Sequence, residues 1–445
     1  MKKIIIAGAG ASGLTAAIAA ARAGASVTVL EAEERPGRKL LLTGSGKCNL
    51  THHCADTEEL KEHYHSRSSK ELLKELTGNI FRSFSYEDTI SFFRNLGLPV
   101  IDHEGYIYPR SLKSQSVLQV LLNEAEKLGV KFKYNTKVTG LSFSPDGVWH
   151  VHVPGWEYIC DRVILASGSQ AGLAKKPAET YRACRDLNIR VNEPLSTLAA
   201  ISCRETWVRD CAGDRTYARV YIRCDGSEES EISEYGQVQW VESGVSGIVI
   251  FNLSRYASQW LSEGKSVRLR IDLLDEYTQE KAGEQFQNLL GDGCDIEKKL
   301  CGYLPPHVLS VIACQVKEQL GKNKKKRKEG NGAGGDGTED AARLAARAMK
   351  NMNLTVRCVR ELAGAQAAAG GVDLTELDLK TLEVKKWPGL FVCGELADVD
   401  GECGGYNLQW AWSSGTAAGK AAAGGVKIDS NFSAETASGS YAGRA

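Results

Sequence analysis

Three observations place this chain in the α/β class, as a doubly wound sheet domain joined by a mostly antiparallel β domain and a helical segment. Residues 1–49 read as strand, glycine turn, helix, strand, acid and a second glycine turn. Residues 190–272 are rich in short strands and poor in long helical connections. A late apolar strand, Gly389 to Glu395, runs into a second glycine-rich block and a further helix.

The opening strand is Lys3-Ile4-Ile5-Ile6-Ala7, the turn Gly8-Ala9-Gly10-Ala11-Ser12-Gly13, and the next strand Ser26 to Leu30 ends at Glu31. That order is a dinucleotide-binding fingerprint in its proper context. Gly8 makes the tight turn, Gly10 lets backbone approach a pyrophosphate, and Gly13 lets helix pack on strand. The free N–H groups and dipole of the helix start face the phosphates. Glu31, 18 residues after Gly13, is placed to accept from ribose hydroxyls. Lys2-Lys3 before an apolar, alanine-rich run also resembles a signal peptide. A signal peptide needs neither three spaced glycines nor a following strand that ends in an acid.

The 445 residues exceed one ordinary core, so two or three domains are expected. Lys plus Arg and Asp plus Glu both number 55, which removes any global pull toward nucleic acid or anionic membrane. The 13 cysteines include no Cys-x-x-Cys pair and no zinc spacing, so free thiols in a reducing cytoplasm are expected. Outside the N-terminal motif no uncharged apolar run approaches the ~18 residues of a membrane span.

Beyond Glu31 and Ala32, Arg38-Lys39 lead to the turn Gly44-Ser45-Gly46-Lys47-Cys48-Asn49, which lacks the spacing of a P-loop. Residues 56–98 read as helical, 137–168 as a small antiparallel meander that closes on a strand ending Ala166-Ser167-Gly168. In the β domain, strands are expected at 198–203, 218–224, 238–242, 248–253 and 267–271. Residues 275–321 turn helical, and the basic block 322–328 with the glycine run to 337 is expected to form an exposed, mobile loop. A helix is expected from Asn407 to Ala423.

The blocks Gly44-Ser-Gly-Lys-Cys-Asn-Leu50 and Gly404-Gly-Tyr-Asn-Leu-Gln-Trp-Ala-Trp-Ser-Ser-Gly415 resemble the BaiN-like NAD(P)/FAD-dependent oxidoreductases, also labelled aminoacetone-oxidase-like flavoproteins. The resemblance spans residues 1–426. It implies FAD held by a split Rossmann-like domain: 1–190 and 363–426, with an inserted β domain 191–272 completed by 340–362, a helical insertion 273–339, and a flexible tail 427–445. By motif match, Gly8, Gly10, Ala11, Ser12, Gly13 and Leu14 would cradle the pyrophosphate, and Glu31 with Ala32 the adenosine ribose. Arg38, Lys39, Gly44, Gly46, Lys47 and Asn49 would line the flavin side, Val138 would touch adenine, and Ala166, Ser167 and Gly168 would pass nearby. Gly394, Glu395, Asp398, Gly405, Tyr406, Asn407 and Leu408 would close over the ribityl chain and ring. Two departures, a shortened loop at 170–177 and an alanine for a family threonine within 365–371, bear on the substrate pocket rather than on FAD.

A helix start after Gly404-Gly405 offers free N–H groups and a positive dipole end for the pyrimidine edge of a flavin. Tyr106 and Tyr108 are candidate proton donors or stacking residues, and Cys48 a candidate redox thiol with no spaced partner. His52-His53 could in principle carry a covalent flavin. No Ser/His/Asp order argues for hydrolysis. The resemblance thus implies an oxidoreductase in which NAD(P)H, bound transiently, reduces FAD and hydride passes to an organic acceptor such as the activated C=C of a 3-oxo steroid or bile-acid-like enone. Two alternatives are an O2-using oxidase of a small amine such as aminoacetone, and a flavin-bearing RNA-associated protein that uses the block 322–328. A small-molecule substrate is expected rather than nucleic acid or membrane, because that block has no interleaved aromatics.

Overall fold

The computed structural model describes residues 1–54, 56–172, 179–226, 231–291, 295–328 and 337–424, with backbone only for 179–180, 324–328 and 337–339. The expected tail 427–445 and most of the 330–337 glycine run lie outside the described residues.

A five-stranded parallel sheet carries the strands in the spatial order Leu390–Val392, Arg162–Leu165, Lys3–Ala7, Ser26–Leu30, Lys131–Lys133. Ile4, Ile5 and Ile6 are buried with helices on both faces, which is why this strand reads as one apolar run rather than an alternation. The strand order reverses between Lys3–Ala7 and Arg162–Leu165, so the crevice for a ligand opens at their carboxyl ends. The helix Ala11–Arg22 is built of small residues, and the helix Tyr406–Ala422 packs directly on it. A Cβ on Gly415 would come 2.3 Å from the Ser12 carbonyl oxygen, and one on Gly419 2.4 Å from that of Ala16. Glycine at these two positions therefore sets the close helix crossing that joins the two distant parts of the domain.

Strands Gly140–Phe143, Trp149–Val153 and Trp156–Cys160 form an antiparallel meander. Arg162–Leu165 then leaves it for the centre of the parallel sheet.

A second core lies in a closed antiparallel barrel, ordered Ile201–Cys203, Gly244–Ser246, Ile232–Val241, Arg215–Cys224, Val267–Asp272, Met352–Val359. The last strand pairs back onto the first. The stretch 248–253, expected as a strand, instead begins the helix Ile248–Ser262. Its β-branched content suggests a strand, but Gly247 at φ 104° breaks the chain direction. Buried Val249, Ile250, Leu253, Ala257 and Trp260 then recur at helical spacing. The basic block 322–328 continues the helix Pro306–Lys328 rather than forming a loop. Lysine and arginine are good helix formers, and Lys322 pairs with Glu318 one turn back.

The chain passes from sheet domain to barrel through Val191–Thr197 and returns through Ala367–Val372. These two strands pair antiparallel, with a bulge between Asn192 and Leu195. Among the described residues no helix is long and apolar enough to cross a membrane.

Candidate functional site

A cleft of about 730 Å³ runs along the carboxyl ends of the central strands and under the barrel helix. Its first wall is the N-terminal turn. Gly8 sits at φ 109°, and a Cβ there would lie 2.7 Å from the Ala166 carbonyl oxygen. Gly13 is tighter, since its Cβ would meet the Gly8 carbonyl oxygen at 2.0 Å. Gly10 differs from both: a Cβ there would meet no protein atom within 4 Å, so its open side faces the cleft. The helix that follows has Gly10 as its N-cap, no side-chain cap and no acid in its first turn. Its unpaired N–H groups and dipole suit a diphosphate.

Glu31 lines the cleft and also holds the turn, its carboxylate accepting from Ala9 N at 2.7 Å and Glu33 N at 2.9 Å. Ala32, Val138, Ala166, Ser167 and Gly168 line the same side. Arg38 faces Glu33 at 3.6 Å. Lys39 is paired with Glu395, whose other oxygen accepts from Ala368 N at 3.0 Å.

The second turn threads Gly44, Ser45, Gly46 and Cys48 through positive φ, a path that brings Asn49 to the cleft wall. Opposite it, Gly405 caps the helix Tyr406–Ala422 at φ 101°, and a Cβ there would lie 2.8 Å from the Thr51 backbone and 3.0 Å from Asn49 Oδ1. Asn407 pins this loop, its amide bonding both the N–H and the carbonyl of Gly401. Gly405, Asn407 and Leu408 line the cleft. Asn49 Oδ1 is buried with no hydrogen-bond partner among the described residues, an acceptor left for a ligand donor. The open side of Gly10, two uncapped helix starts and this orphaned acceptor fit a long dinucleotide such as FAD.

Several expected ligands stand elsewhere. Gly13 and Leu14 pack behind the turn, and Gly46 and Lys47 are not on the cleft wall. Gly394 is internal, accepting from Trp410 Nε1 and donating to Ser414 Oγ. Asp398 is fully buried away from the cleft and accepts from Ser66, Arg67, Ser68 and Asn192. It organises the segment 66–68 rather than a ribityl chain. Tyr406 turns its ring away from the cleft to stack between His52 and His63, at 5.4 and 4.2 Å. Cys48 is also off the cleft wall, and burial pushes its thiol up to about 12, which removes the thiolate a redox role needs. His52 bonds the His53 carbonyl and lies outside the lining.

Tyr106 and Tyr108 do line the cleft, and burial raises both phenols. Tyr181 joins them from the helix Glu179–Asp186. It is 2% exposed, burial raises its phenol further, and among the described residues its hydroxyl has no partner. Glu402, Cys403, Leu198, Ile248 and Gln366 complete the wall toward the barrel. Glu402 accepts from His63 at 2.7 Å and faces His65 at 3.6 Å. Burial opposes its charge, yet these hydrogen bonds and charges win and hold the carboxyl down at about 2. No local motif marks Tyr181 or Glu402, because each meets the cleft only through the tertiary fold.

The model of the HI0933-like protein Rossmann domain matches residues 2–421. The chain belongs to that family. Over 431 residues it is 34% identical to the 3-dehydro-bile acid delta(4,6)-reductase of Clostridium scindens, covering 95% of this chain and 99% of that protein. It is 28% identical over 430 residues to the ribosomal RNA dihydrouridine synthase of Haemophilus influenzae, covering 92% and 96%. The Escherichia coli protein of the same description is 25% identical over 426 residues, covering 92% and 95%. This HI0933-like chain is a BaiN-like flavoprotein, an FAD-dependent oxidoreductase.

Proposed function

We propose that this protein is an NAD(P)H-dependent reductase of a C=C bond conjugated to a carbonyl, of the 3-oxo steroid or bile-acid-like kind. The observation that carries the reading is the relative at 34% identity across nearly the whole of both chains, whose named activity is such a reduction. FAD, when bound, would supply two-electron hydride chemistry between a nicotinamide and the carbon β to the carbonyl. The overall balance is one NAD(P)H and one proton consumed per double bond saturated.

The chain's own part is binding, orientation and the proton. The Ala11–Arg22 helix start would hold the diphosphate, and the start of Tyr406–Ala422 would stabilise negative charge at the pyrimidine edge of the ring. Lys39, with Glu395, stands on the same wall. Tyr181, on the cleft wall, would give its hydroxyl proton to the carbon α to the carbonyl. Its raised phenol stays protonated at neutral pH, and among the described residues its hydroxyl has no hydrogen-bond partner. Tyr106 and Tyr108 then shape the acceptor side by Gly44 and Cys403.

Anaerobic titration with NADH and NADPH tests the first half-reaction: the visible flavin band bleaches. Mixing the reduced protein with a 3-oxo-4-ene steroid then restores the band and yields the saturated ketone. Bleaching by aminoacetone alone, with peroxide release in air, would instead make it an amine oxidase.

A second reading has its own support. Two relatives named as ribosomal RNA dihydrouridine synthases span 92% of the chain. The uracil C5=C6 bond is also conjugated to a carbonyl, so the same site chemistry would serve a base of RNA. Reoxidation by uridine-containing RNA and not by steroid enones selects this reading.

A further inference from the structure

The strand Arg215–Cys224 buries every second residue: Thr216, Ala218, Val220, Ile222 and Cys224 face inward. The other face therefore carries Arg215, Tyr217, Arg219, Tyr221 and Arg223 in alternation. The neighbouring strands extend the pattern. Arg219 lies opposite Tyr235, Tyr221 opposite Arg270, and Arg223 opposite Arg268. The Arg270 guanidinium sits 3.6 Å over the Tyr221 ring, and that of Arg219 5.4 Å over Tyr235. Arg357 continues the basic row on the next strand.

Acids answer only part of this charge. Asp275 pairs with Arg219, Glu231 with Arg270 and Asp225 with Arg268. Glu205, close by, is occupied by the Thr355 N–H. Arg215, Arg223 and Arg357 have no acidic partner among the described residues. Tyr217 is 65% and Tyr235 53% exposed, large values for aromatic rings on a sheet face. Ser233, Gln237, Gln239, Asn353 and Thr355 on the same face are polar, and Asp272, opposite Arg219, is taken by Lys350, so this stretch lacks the aliphatic centre of a protein interface.

We propose that this arginine–tyrosine face of the barrel is a docking surface for single-stranded RNA. Guanidinium forks match phosphate oxygens, and exposed rings stack on unpaired bases without regard to sequence. The proposal rests on the second reading above and adds where the polymer is held.

The test uses the FAD-loaded protein and a fluorescent single-stranded oligoribonucleotide containing uridine, read by anisotropy across a salt series. The parent binds. The triple variant R215Q/R223Q/R357Q binds at least about tenfold more weakly, and its log–log salt slope falls by about 2, near 0.7 for each phosphate no longer neutralised. Separately, Y217A/Y235A weakens binding about tenfold with the slope kept, since stacking carries no counterion release. Melting temperature and NADH bleaching unchanged in both variants exclude misfolding. No binding by the parent, or both variants binding as the parent does, overturns the proposal, as does loss of binding only on replacing Lys322 and its basic neighbours. Binding through the face without dihydrouridine formation defeats the second reading alone. Dihydrouridine formation with unchanged kinetics in the face variants defeats the surface alone.

Discussion

A buried phenol without a hydrogen-bond partner costs stability, and Tyr181 has none among the described residues, which leaves its hydroxyl for a ligand in the cleft. Y181F should leave FAD binding and NAD(P)H bleaching intact while slowing reoxidation by the acceptor about 10²-fold, read by anaerobic stopped flow. Equal slowing of both half-reactions would make Tyr181 a packing residue instead. Cys48 makes the opposite case, because its thiol is held up at about 12 by burial. C48S should keep the bleaching rate within about twofold of the parent, and the native thiol should resist alkylation at neutral pH. Glu402 carries a pH signature. Its folded pKa of about 2 lies below the ordinary 4.5, so its contribution is complete above that value and disappears as pH falls toward 2. The melting-temperature advantage of the parent over E402Q should therefore close across that acid window. Of these three residues only Cys48 stands in a motif. Tyr181 and Glu402 gain their meaning from neighbours hundreds of positions away, such as Glu395 and His63.

Among the elements, the helix pair Ala11–Arg22 and Tyr406–Ala422 decides whether the dinucleotide site exists at all. Gly415 and Gly419 leave no room for a side chain against Ser12 and Ala16. G415L or G419V should push the helices apart, lower stability by about 1–3 kcal/mol and release FAD, read by melting and by the visible spectrum after gel filtration. G321A, on the exposed side of the helix Pro306–Lys328 where a Cβ would meet nothing within 4 Å and the backbone is helical, is the matched control. The nucleotide-binding helix and its turn were legible because all their signals sit within about thirty residues of sequence, the span of a βαβ unit. The helix Ile248–Ser262 was not, because a run of β-branched residues satisfies strand and helix alike until a second buried face is known. The outward row of Arg215–Cys224 was equally hidden, since alternation alone does not say which face is covered.

For the whole molecule, the question is how the barrel is held over the cleft. Arg255 of the barrel helix makes a two-pronged ion pair with Asp400, at 3.0 Å for both contacts, with both side chains buried. R255A should cost about 3–5 kcal/mol by stranding the carboxylate. The pair R255M/D400L should recover much of that stability. If R255A melts like the parent, the barrel is held by other contacts, among them the Asn252 side chain on Cys403 N. The sequence by itself determined the dinucleotide fingerprint, the parallel sheet built on it, and the FAD-binding family, because these are written in contiguous glycines, strands and helix starts whose physics is local. Only the tertiary structure decided that Glu31 also braces its turn, that Asp398 and Tyr406 face away from the cleft, that Tyr181 enters it, and that the barrel turns arginine and tyrosine outward. Those outcomes depend on which faces meet after the chain has crossed twice between its two cores, and burial and long-range hydrogen bonding are properties of that meeting.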